Sequence, residues 1–253
     1  MDAVPPRRAC LVRRNGVKRF AAIVAVTAAL VPGVATAQAL VCSAPANPPR
    51  PVADLPSTDQ PQRVLPIGGY TLAITWSPEF CRKGGFTPAA RFQCGGGNRF
   101  GFTLHGLWPD GVGKDWPQYC AATPLLSPAT VKGMMCATPS AQLIQHEWAK
   151  HGTCTGLLPA AYFAKSSALY GRLRYPDMDA LSRGPLTVGQ FVAAFAAANP
   201  SVPANAVRVT ANRSWLDELW LCLDTRLNYT RCRTGTGGLA ANASLKIWRG
   251  RRR

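Results

Sequence analysis

The chain has 253 residues, 47% of them hydrophobic, so it is long enough to bury the core of one domain. Its 29 Lys and Arg residues against 12 Asp and Glu give a formal charge of +17, which favours polyanionic partners such as nucleic acid, anionic lipid or acidic polysaccharide but carries no information about the fold. The nine cysteines include no C-x-x-C pair, which argues against a zinc ribbon held by thiolates.

The N-terminal segment has the three parts of a secretory signal peptide. Six Lys and Arg residues precede the apolar run 20–35, and the small-residue sequence ATA (35–37) ends that run. The run is short and broken by a proline and a glycine, whereas a membrane-spanning helix needs about 20 apolar residues. We therefore predict that residues 1–37 are removed, with cleavage after Ala37 or Ala39, and that the mature chain is periplasmic or secreted without stable membrane association.

Next comes a proline-rich segment, with seven prolines and few large apolar residues between positions 43 and 66. This composition predicts an extended, mobile arm over residues 38–66, followed by a globular domain over residues 67–250. The C-terminal residues 246–253 carry five cations around Trp248. Such a tail is either a disordered, solvated end or a non-specific electrostatic contact with a polyanion.

Within the domain, apolar and polar residues alternate at 69–77 and 99–107, which predicts two half-buried strands. Residues 138–152 predict a helix, with Thr138 as N-cap and Pro139 at the first helical position. Two further helices and three strands are expected, at residues 158–173, 186–199, 206–212, 216–224 and 244–249. Strands, then helices, then strands predict an α+β fold with a central, mainly antiparallel sheet and helices packed against it.

Eight of the nine cysteines follow the predicted signal peptide. An even number of cysteines in an exported chain predicts four disulfides, but sequence alone does not fix their pairing. Proximity favours Cys81 with Cys94 and Cys222 with Cys232. The remaining candidates are Cys42, Cys120, Cys136 and Cys154.

All three histidines lie in two short segments, His105 in FTLHGLWPD (102–110) and His146 and His151 in HEWAKHGTC (146–154). Histidines four residues apart on a helix can share a zinc ion, as in H-E-x-x-H. His146 and His151 are five apart, which separates them by about 140° on a regular helix. This spacing argues against zinc unless a π-bulge brings the two rings together.

Other residues of the second segment are well placed for acid–base chemistry. His146 and Lys150 are helical i, i+4 neighbours, and so are Glu147 and His151. A carboxylate can orient an imidazole, while the other imidazole and the ammonium bind an anion, which is what cleavage of a phosphodiester requires. The alternative is a solvated amphipathic helix with Trp148 in the core.

The two segments resemble, at nearly every position, the active-site segments of the T2-type ribonuclease family, in the family's order and approximate spacing. The resemblance extends over residues 67–250 and excludes the arm. It implies an endoribonuclease of low base specificity that cleaves single-stranded RNA by transesterification through a 2′,3′-cyclic phosphate, with neither metal nor other cofactor.

The resemblance also implies a role for each residue of the motifs. His151 would be the general base that takes the proton of the 2′-hydroxyl, and His105 the acid that protonates the leaving oxygen. The phosphate would be bound, and its pentacovalent state stabilised, by His146, Glu147 and Lys150.

Base recognition is implied for three more residues. Trp108 resembles the family's base-stacking aromatic, Asp110 the residue that hydrogen-bonds the base, and Trp116 a second aromatic for the other face. The alternative for both tryptophans is a place in the core. A disulfide between Cys120 and Cys154 is also implied. Cys42 and Cys136 then remain, and their pairing has less support than that of the other three pairs.

RNA is thus the expected partner of a monomeric chain. A second hypothesis is a non-catalytic protein on the same fold that binds RNA or another polyanion. A third hypothesis is a zinc hydrolase, which would lose activity in EDTA.

Overall fold

A computed structural model describes residues 1, 39–84, 87–235 and 237–250. The predicted signal peptide, apart from Met1, and the last three residues of the basic tail lie outside the described residues. From Ala39 onward the described residues belong to one compact unit. No helix among the described residues is both long enough and apolar enough to span a membrane.

A four-stranded antiparallel sheet with strand order β4-β2-β6-β5 forms the centre of this unit, and β1 and β3 pair separately. The predicted α+β fold with a mainly antiparallel sheet is therefore confirmed. The strands are β1 (Ala39–Val41), β2 (Ile67–Trp76), β3 (Arg99–Phe100), β4 (Phe102–Gly111), β5 (Val207–Asn212) and β6 (Trp215–Leu223).

The two faces of the sheet differ in chemistry, because side chains alternate along each strand. One face buries aliphatic residues such as Leu72, Ile74 and Leu219, which are inaccessible to solvent. The other face carries Thr71 and Thr75 on β2, where they pair in register with polar and aromatic residues of the neighbouring strands. This second face holds the candidate site.

Helices cover the aliphatic face. Tyr162 and Tyr170 of α5 donate hydrogen bonds from their hydroxyl groups to the carbonyls of Leu107 and Phe102 in β4, at 3.0 and 2.7 Å. These bonds fix the helix against the strand that carries the first histidine. The helices are α1 (Ser77–Gly84), α2 (Arg91–Cys94), α3 (Pro128–Met134), α4 (Ala141–His146), α5 (Pro159–Gly171), α6 (Met178–Leu181) and α7 (Val188–Ala198).

Two sequence predictions about these elements are wrong. The helix predicted from Thr138 begins at Ala141, because Ser140 is the N-cap and accepts from the backbone N–H of Leu143. Thr138 instead donates its hydroxyl to the carbonyl of Leu104. Residues 244–249 form isolated bridges rather than a strand. The strand was predicted from the alternating apolar residues Leu245 and Ile247. Both are buried against the core, which requires no continuous hydrogen-bonded ladder.

The proline-rich arm runs over the surface as an extended segment. Its N-terminal end is tied to the domain by the Cys42–Cys136 disulfide. Further along, Val52 exchanges two backbone hydrogen bonds with the side chain of Gln142, and Arg63 and Gln118 exchange two backbone bonds. These contacts hold the arm against the domain, where the sequence alone predicted a mobile segment.

Four disulfides join the eight cysteines of the described residues. They include the two local pairs that proximity favoured, Cys81–Cys94 and Cys222–Cys232. They also include Cys120–Cys154, the pair implied by resemblance, and Cys42–Cys136. Cys120–Cys154 lies beside the second histidine segment and joins its end to the loop that follows β4.

Candidate active site

A bulge in β4 sets the position of His105. The register of β2 against β4 skips His105, because its two chain neighbours pair with consecutive residues of β2, Ala73 and Ile74. An extra residue of this kind bends the strand and re-aims its side chain, and such bulges are common beside active sites. The bulge explains why a side chain from the centre of a strand reaches the cleft, partly exposed.

Glu218 of β6 fixes the ring of His105. The Nδ1 atom of His105 donates to Oε1 of Glu218 at 2.6 Å. The same carboxylate accepts from the hydroxyl of Thr75 at 2.8 Å and from Nε1 of Trp220 at 2.8 Å. Because Thr75 and Trp220 hold Glu218, it presents a fixed acceptor to Nδ1. The other ring nitrogen of His105, Nε2, lies 3.6 Å from Oε1 of Glu147. Sequence reasoning missed Glu218; the available signal was the two adjacent acids, Asp217 and Glu218, near the start of the predicted strand LDELWLCLD.

The pKa of His105 follows from these neighbours. Burial lowers it, but the hydrogen bond to Glu218 and the charges of Glu147 and Glu218 outweigh burial, so the pKa lies above its ordinary value of 6.5. The carboxylates therefore favour the imidazolium, the form that can give up a proton.

The second histidine segment does not continue as a regular α-helix. After α4 the chain forms a π-helical turn over Glu147–His151, followed by a 3₁₀ turn over Gly152–Cys154. A π-helix closes bonds between residues five apart, so His146 and His151 approach on one side with ring centroids 6.2 Å apart. The regular-helix geometry that separated the two histidines by about 140° is wrong here.

His146 bonds to a residue of the arm. Its Nδ1 donates to Oδ2 of Asp54 at 2.6 Å, and Oδ1 of Asp54 accepts from the hydroxyl of Tyr119 at 2.8 Å. Burial lowers the pKa of His146 and outweighs the opposing influence of Asp54, while nearby Lys150 and His105 lower it further. Sequence reasoning missed Asp54, because the proline-rich composition of residues 38–66 predicted an arm outside the globular domain.

His151 has a different environment. It is 6% exposed, and its Nδ1 has no hydrogen-bond partner among the described residues. Burial, together with the positive charges of Lys150, His146 and His105, lowers its pKa well below 6.5. His151 is therefore neutral near pH 7 and able to accept a proton.

Trp108 lies between the two histidines. Its ring centroid is 5.0 Å from that of His105, edge to face, and 5.6 Å from that of His151, where the rings are nearly parallel. These contacts bring His105 and His151, 46 positions apart in sequence, to one cleft. Trp108 is half-buried rather than in the core.

Glu147 is the most buried carboxylate of the site, with 2% exposure. Its Oε2 accepts from Nε1 of Trp108 at 2.9 Å, while Oε1 has no hydrogen-bond partner among the described residues. Burial raises its pKa to about 7 despite the opposing charge of His105. A Cβ atom at Gly106 would lie 1.6 Å from Oε2, so only glycine fits beneath this carboxylate.

Lys150 adds positive charge to the same turn. Burial lowers its pKa, partly offset by the charges of Glu147 and Asp54. Its carbonyl accepts from the backbone N–H of Tyr119, which ties the π-helical turn to the loop after β4. The five predicted residues His105, His146, Glu147, Lys150 and His151 thus surround one cleft.

The other two predicted base-binding residues lie at and after the end of β4. Asp110 accepts from the hydroxyl of Thr71 at 2.9 Å, and burial raises its pKa. Trp116 is 46% exposed, with the guanidinium of Arg63 lying 4.5 Å over its ring. Its backbone passes beside Gly111, the residue that follows Asp110.

The same turn also has the composition of a metal site. His146, Glu147 and His151 each offer a ligand atom, and the three atoms lie within 4.8 Å of one another. Two imidazoles and a carboxylate are ligands that zinc accepts. The π-helical turn therefore keeps the zinc hypothesis testable, although Asp54 already occupies Nδ1 of His146.

Comparison with known proteins identifies the class. Residues 67–232 match the model of the ribonuclease T2 family, so the chain belongs to this family. A probable ribonuclease of Haemophilus influenzae is 31% identical over 180 residues, which are 67% of this chain and 62% of that protein. A ribonuclease of Aeromonas hydrophila is 43% identical over 88 residues, 35% of this chain and 38% of that protein. The chain thus spans less than two thirds of the length of these relatives.

Solved structures share the fold. An RNase-related protein from Calystegia sepium aligns with a TM-score of 0.57 and 21% identity, covering 72% of this chain and 97% of that one. RNase NT in complex with 5′-AMP aligns with a TM-score of 0.57 and 18% identity, covering 72% and 98%. Both alignments leave over a quarter of this chain unmatched.

Proposed function

We propose that the chain is an exported, metal-independent endoribonuclease that cleaves single-stranded RNA through a 2′,3′-cyclic phosphate with low base specificity. The observation that carries the proposal is the opposite tuning of two histidines in one cleft. The pKa of His151 lies well below 6.5, so this ring is neutral and can accept a proton, whereas the pKa of His105 is raised, which favours the form that can donate one. This division is what a transesterification needs, since one oxygen loses a proton while another gains one.

In the first step His151 takes the proton of the 2′-hydroxyl, and the 2′-oxygen attacks the adjacent phosphorus. The bond from phosphorus to the 5′-oxygen breaks, and His105 gives that oxygen its proton from Nε2. The products are a cyclic phosphate and a free 5′-hydroxyl. The two histidines then exchange roles when water opens the cyclic phosphate. DNA lacks the 2′-hydroxyl and would not react.

His146, Glu147 and Lys150 would hold the phosphate during this step. Lys150 supplies a positive charge, and Nε2 of His146 is the ring nitrogen that Asp54 leaves available. With a pKa of about 7, Glu147 carries a proton in part of the molecules near neutrality, so it can donate a hydrogen bond to a phosphate oxygen. Charge that develops on the phosphate in the transition state strengthens all three contacts.

Base recognition would involve Trp108, with Asp110 and Trp116 at the end of β4. Stacking of a base on an aromatic ring contributes about 1–3 kcal/mol and tolerates every base, which fits low specificity. The positive charge of the chain favours RNA as the partner without selecting its sequence.

Export and domain organisation belong to the same proposal. Residues 1–37 would be the signal peptide and 67–250 the catalytic domain, with the basic tail at 246–253. Four disulfides fit a periplasmic or extracellular location, because a reducing cytosol disfavours them. Sequencing the N-terminus of the secreted protein tests the cleavage site after Ala37 or Ala39.

The decisive experiment is mass analysis of RNA fragment ends after incubation with the purified mature protein in EDTA. We expect 2′,3′-cyclic phosphates, and their loss in His105→Ala and His151→Ala. Binding without cleavage would instead support the polyanion-binding protein. Activity that EDTA abolishes and zinc restores would support the zinc hydrolase.

A further inference from the structure

Asp54 is the one inward-facing residue in a long exposed stretch of the arm. Between residues 52 and 62, all of which the structure describes, every residue is exposed except Asp54. Its side chain is only 15% exposed. Large apolar residues of the same stretch, such as Val52 and Leu55, are 67% and 69% exposed. The arm therefore buries a carboxylate here and no hydrophobic side chain.

The buried carboxylate reaches the proposed phosphate site. Oδ2 of Asp54 lies 2.6 Å from Nδ1 of His146, and Oδ1 accepts from Tyr119 at 2.8 Å. Tyr119 in turn donates its backbone N–H to the carbonyl of Lys150, at 2.8 Å. Asp54 is thus linked both to His146 directly and, through Tyr119, to Lys150 on the same turn.

We propose that Asp54 is a positioning residue that the arm supplies to the active site, where it fixes the ring of His146 so that Nε2 meets the phosphate. The inference rests on the proposed function and extends it beyond residues 67–232, the part of the chain that matches the family model. The arm then belongs to the catalytic machinery.

The chemistry follows from how imidazole shares its two nitrogens. A carboxylate on Nδ1 holds the hydrogen there, fixes the tautomer and orients the ring. When an anionic phosphate arrives, the ring gains its second proton on Nε2 and donates it as a hydrogen bond. The negative charge of Asp54 stabilises that imidazolium. Without Asp54 the neutral ring can carry its hydrogen on either nitrogen and can rotate.

Other charged groups around His146 act in the opposite direction. Lys150 and His151 lie on its own turn, and His105 faces it from β4; the charges of Lys150 and His105 disfavour its imidazolium. Asp54 is the group that offsets them. Removing the charge of Asp54 should therefore reduce activity most at the higher pH values, where the imidazolium of His146 is hardest to form.

The test is Asp54→Asn in the full mature chain, with Asp59→Asn as the matched control. The amide of the Asp54→Asn variant keeps the shape of the carboxylate and can still accept from His146 while pairing with Tyr119, so the arm stays attached. Asp59 is exposed on the same arm, so its variant makes the same change in net charge. We measure kcat and KM on single-stranded RNA between about pH 5 and pH 8, together with the melting temperature.

We expect Asp54→Asn to lower kcat/KM about 10–100-fold at neutral pH, by comparison with carboxylates that orient metal-bound histidines, where removal has an effect of this size. The loss should shrink as the pH falls, because added protons charge His146 without help from Asp54. The melting temperature and the Asp59→Asn variant should match wild type. A pH-independent loss, or activity equal to that of Asp59→Asn at every pH, would overturn the inference.

A second readout does not depend on turnover. Nitrogen-15 NMR of the His146 ring reports which nitrogen carries hydrogen, and we expect hydrogen on Nδ1 in wild type and a mixture of tautomers in Asp54→Asn. An unchanged His146 spectrum would contradict the positioning role. If wild type cleaves no RNA, the proposed function fails, and this spectrum still decides whether Asp54 fixes the ring.

Discussion

The two ends of the cleft carry the same side chain in opposite electrostatic settings. The pKa of His105 is raised because the hydrogen bond to Glu218 and the charges of Glu147 and Glu218 outweigh the effect of burial. His151 is buried among positive charges, and its Nδ1 has no hydrogen-bond partner among the described residues, so it stays neutral. The comparison teaches that the surroundings of each ring set its pKa, and with it which ring suits the proposed role of acid and which that of base.

Removing the imidazole of His105 or of His151 should have the largest effect on kcat. We expect His105→Ala and His151→Ala each to reduce kcat about 10²–10⁴-fold, the usual contribution of a positioned acid or base. A substrate whose leaving group is nitrophenolate needs no protonation at that oxygen. It should restore His105→Ala towards wild type and leave His151→Ala inactive, as measured by nitrophenolate release. Equal recovery of both variants would refute the division of roles.

Glu147→Gln should come next, with kcat lower by about 10²-fold and KM little changed, since its contact strengthens only in the transition state. The same variant should be more stable at neutral pH. The folded state raises the pKa of Glu147 from 4.5 to about 7, so its ionisation costs stability as the pH rises through this window.

Thermal unfolding of both proteins at several pH values checks this second expectation. The stabilisation should reach about 3 kcal/mol near pH 7 and be absent below pH 4.5. Equal losses in kcat and substrate affinity, or none, would count against the transition-state role. A stability difference that is the same at every pH would show that Glu147 ionises normally.

Glu218→Gln should move one limb of the pH–activity profile and leave the other in place. His105 must be protonated, so activity is present below its pKa and lost as the pH rises through it. Removing the Glu218 charge lowers that pKa and shifts the basic limb to lower pH. The acid limb reports the protonation of His151 and should not move, since no charge of Glu218 contributes to its pKa shift.

The rate of Glu218→Gln at neutral pH should fall about 10–100-fold. Asp217→Asn is the matched control, because Asp217 is adjacent in sequence but pairs with Lys83 at the surface. If both limbs of the profile shift, or if neither does, Glu218 does not set the pKa of His105 alone in the way proposed.

The smallest expected effect is that of Trp108→Phe. It keeps an aromatic ring between the histidines and removes the hydrogen bond to Glu147, worth about 0.5–1.5 kcal/mol. We expect a several-fold lower kcat, together with altered preference among dinucleotide substrates if Trp108 also stacks on the base. Unchanged kcat and preference would assign Trp108 to packing alone.

Much of this site could be predicted from sequence because its key residues stand in two short motifs. Local spacing placed Glu147 and His151 together, and resemblance joined them to His105. The main strands and helices were also recovered, since hydrophobic alternation and helical spacing are local signals.

The rest depends on backbone irregularities and on contacts between distant segments. The regular-helix assumption placed His146 and His151 on different sides, whereas the π-helical turn brings them to one side. The bulge at His105 has no local signature. Glu218 and Asp54 lie 113 and 92 positions from the histidines they bond, so only the folded chain shows their role.

The Cys42–Cys136 crosslink ties the beginning of the arm to the loop before α4, across 94 positions of sequence. This bond adds a covalent tie to the hydrogen bonds by which Val52, Asp54 and Arg63 already hold the arm against the domain. If the chain is the exported ribonuclease proposed above, breaking this bond should loosen the arm and with it the contact between Asp54 and His146.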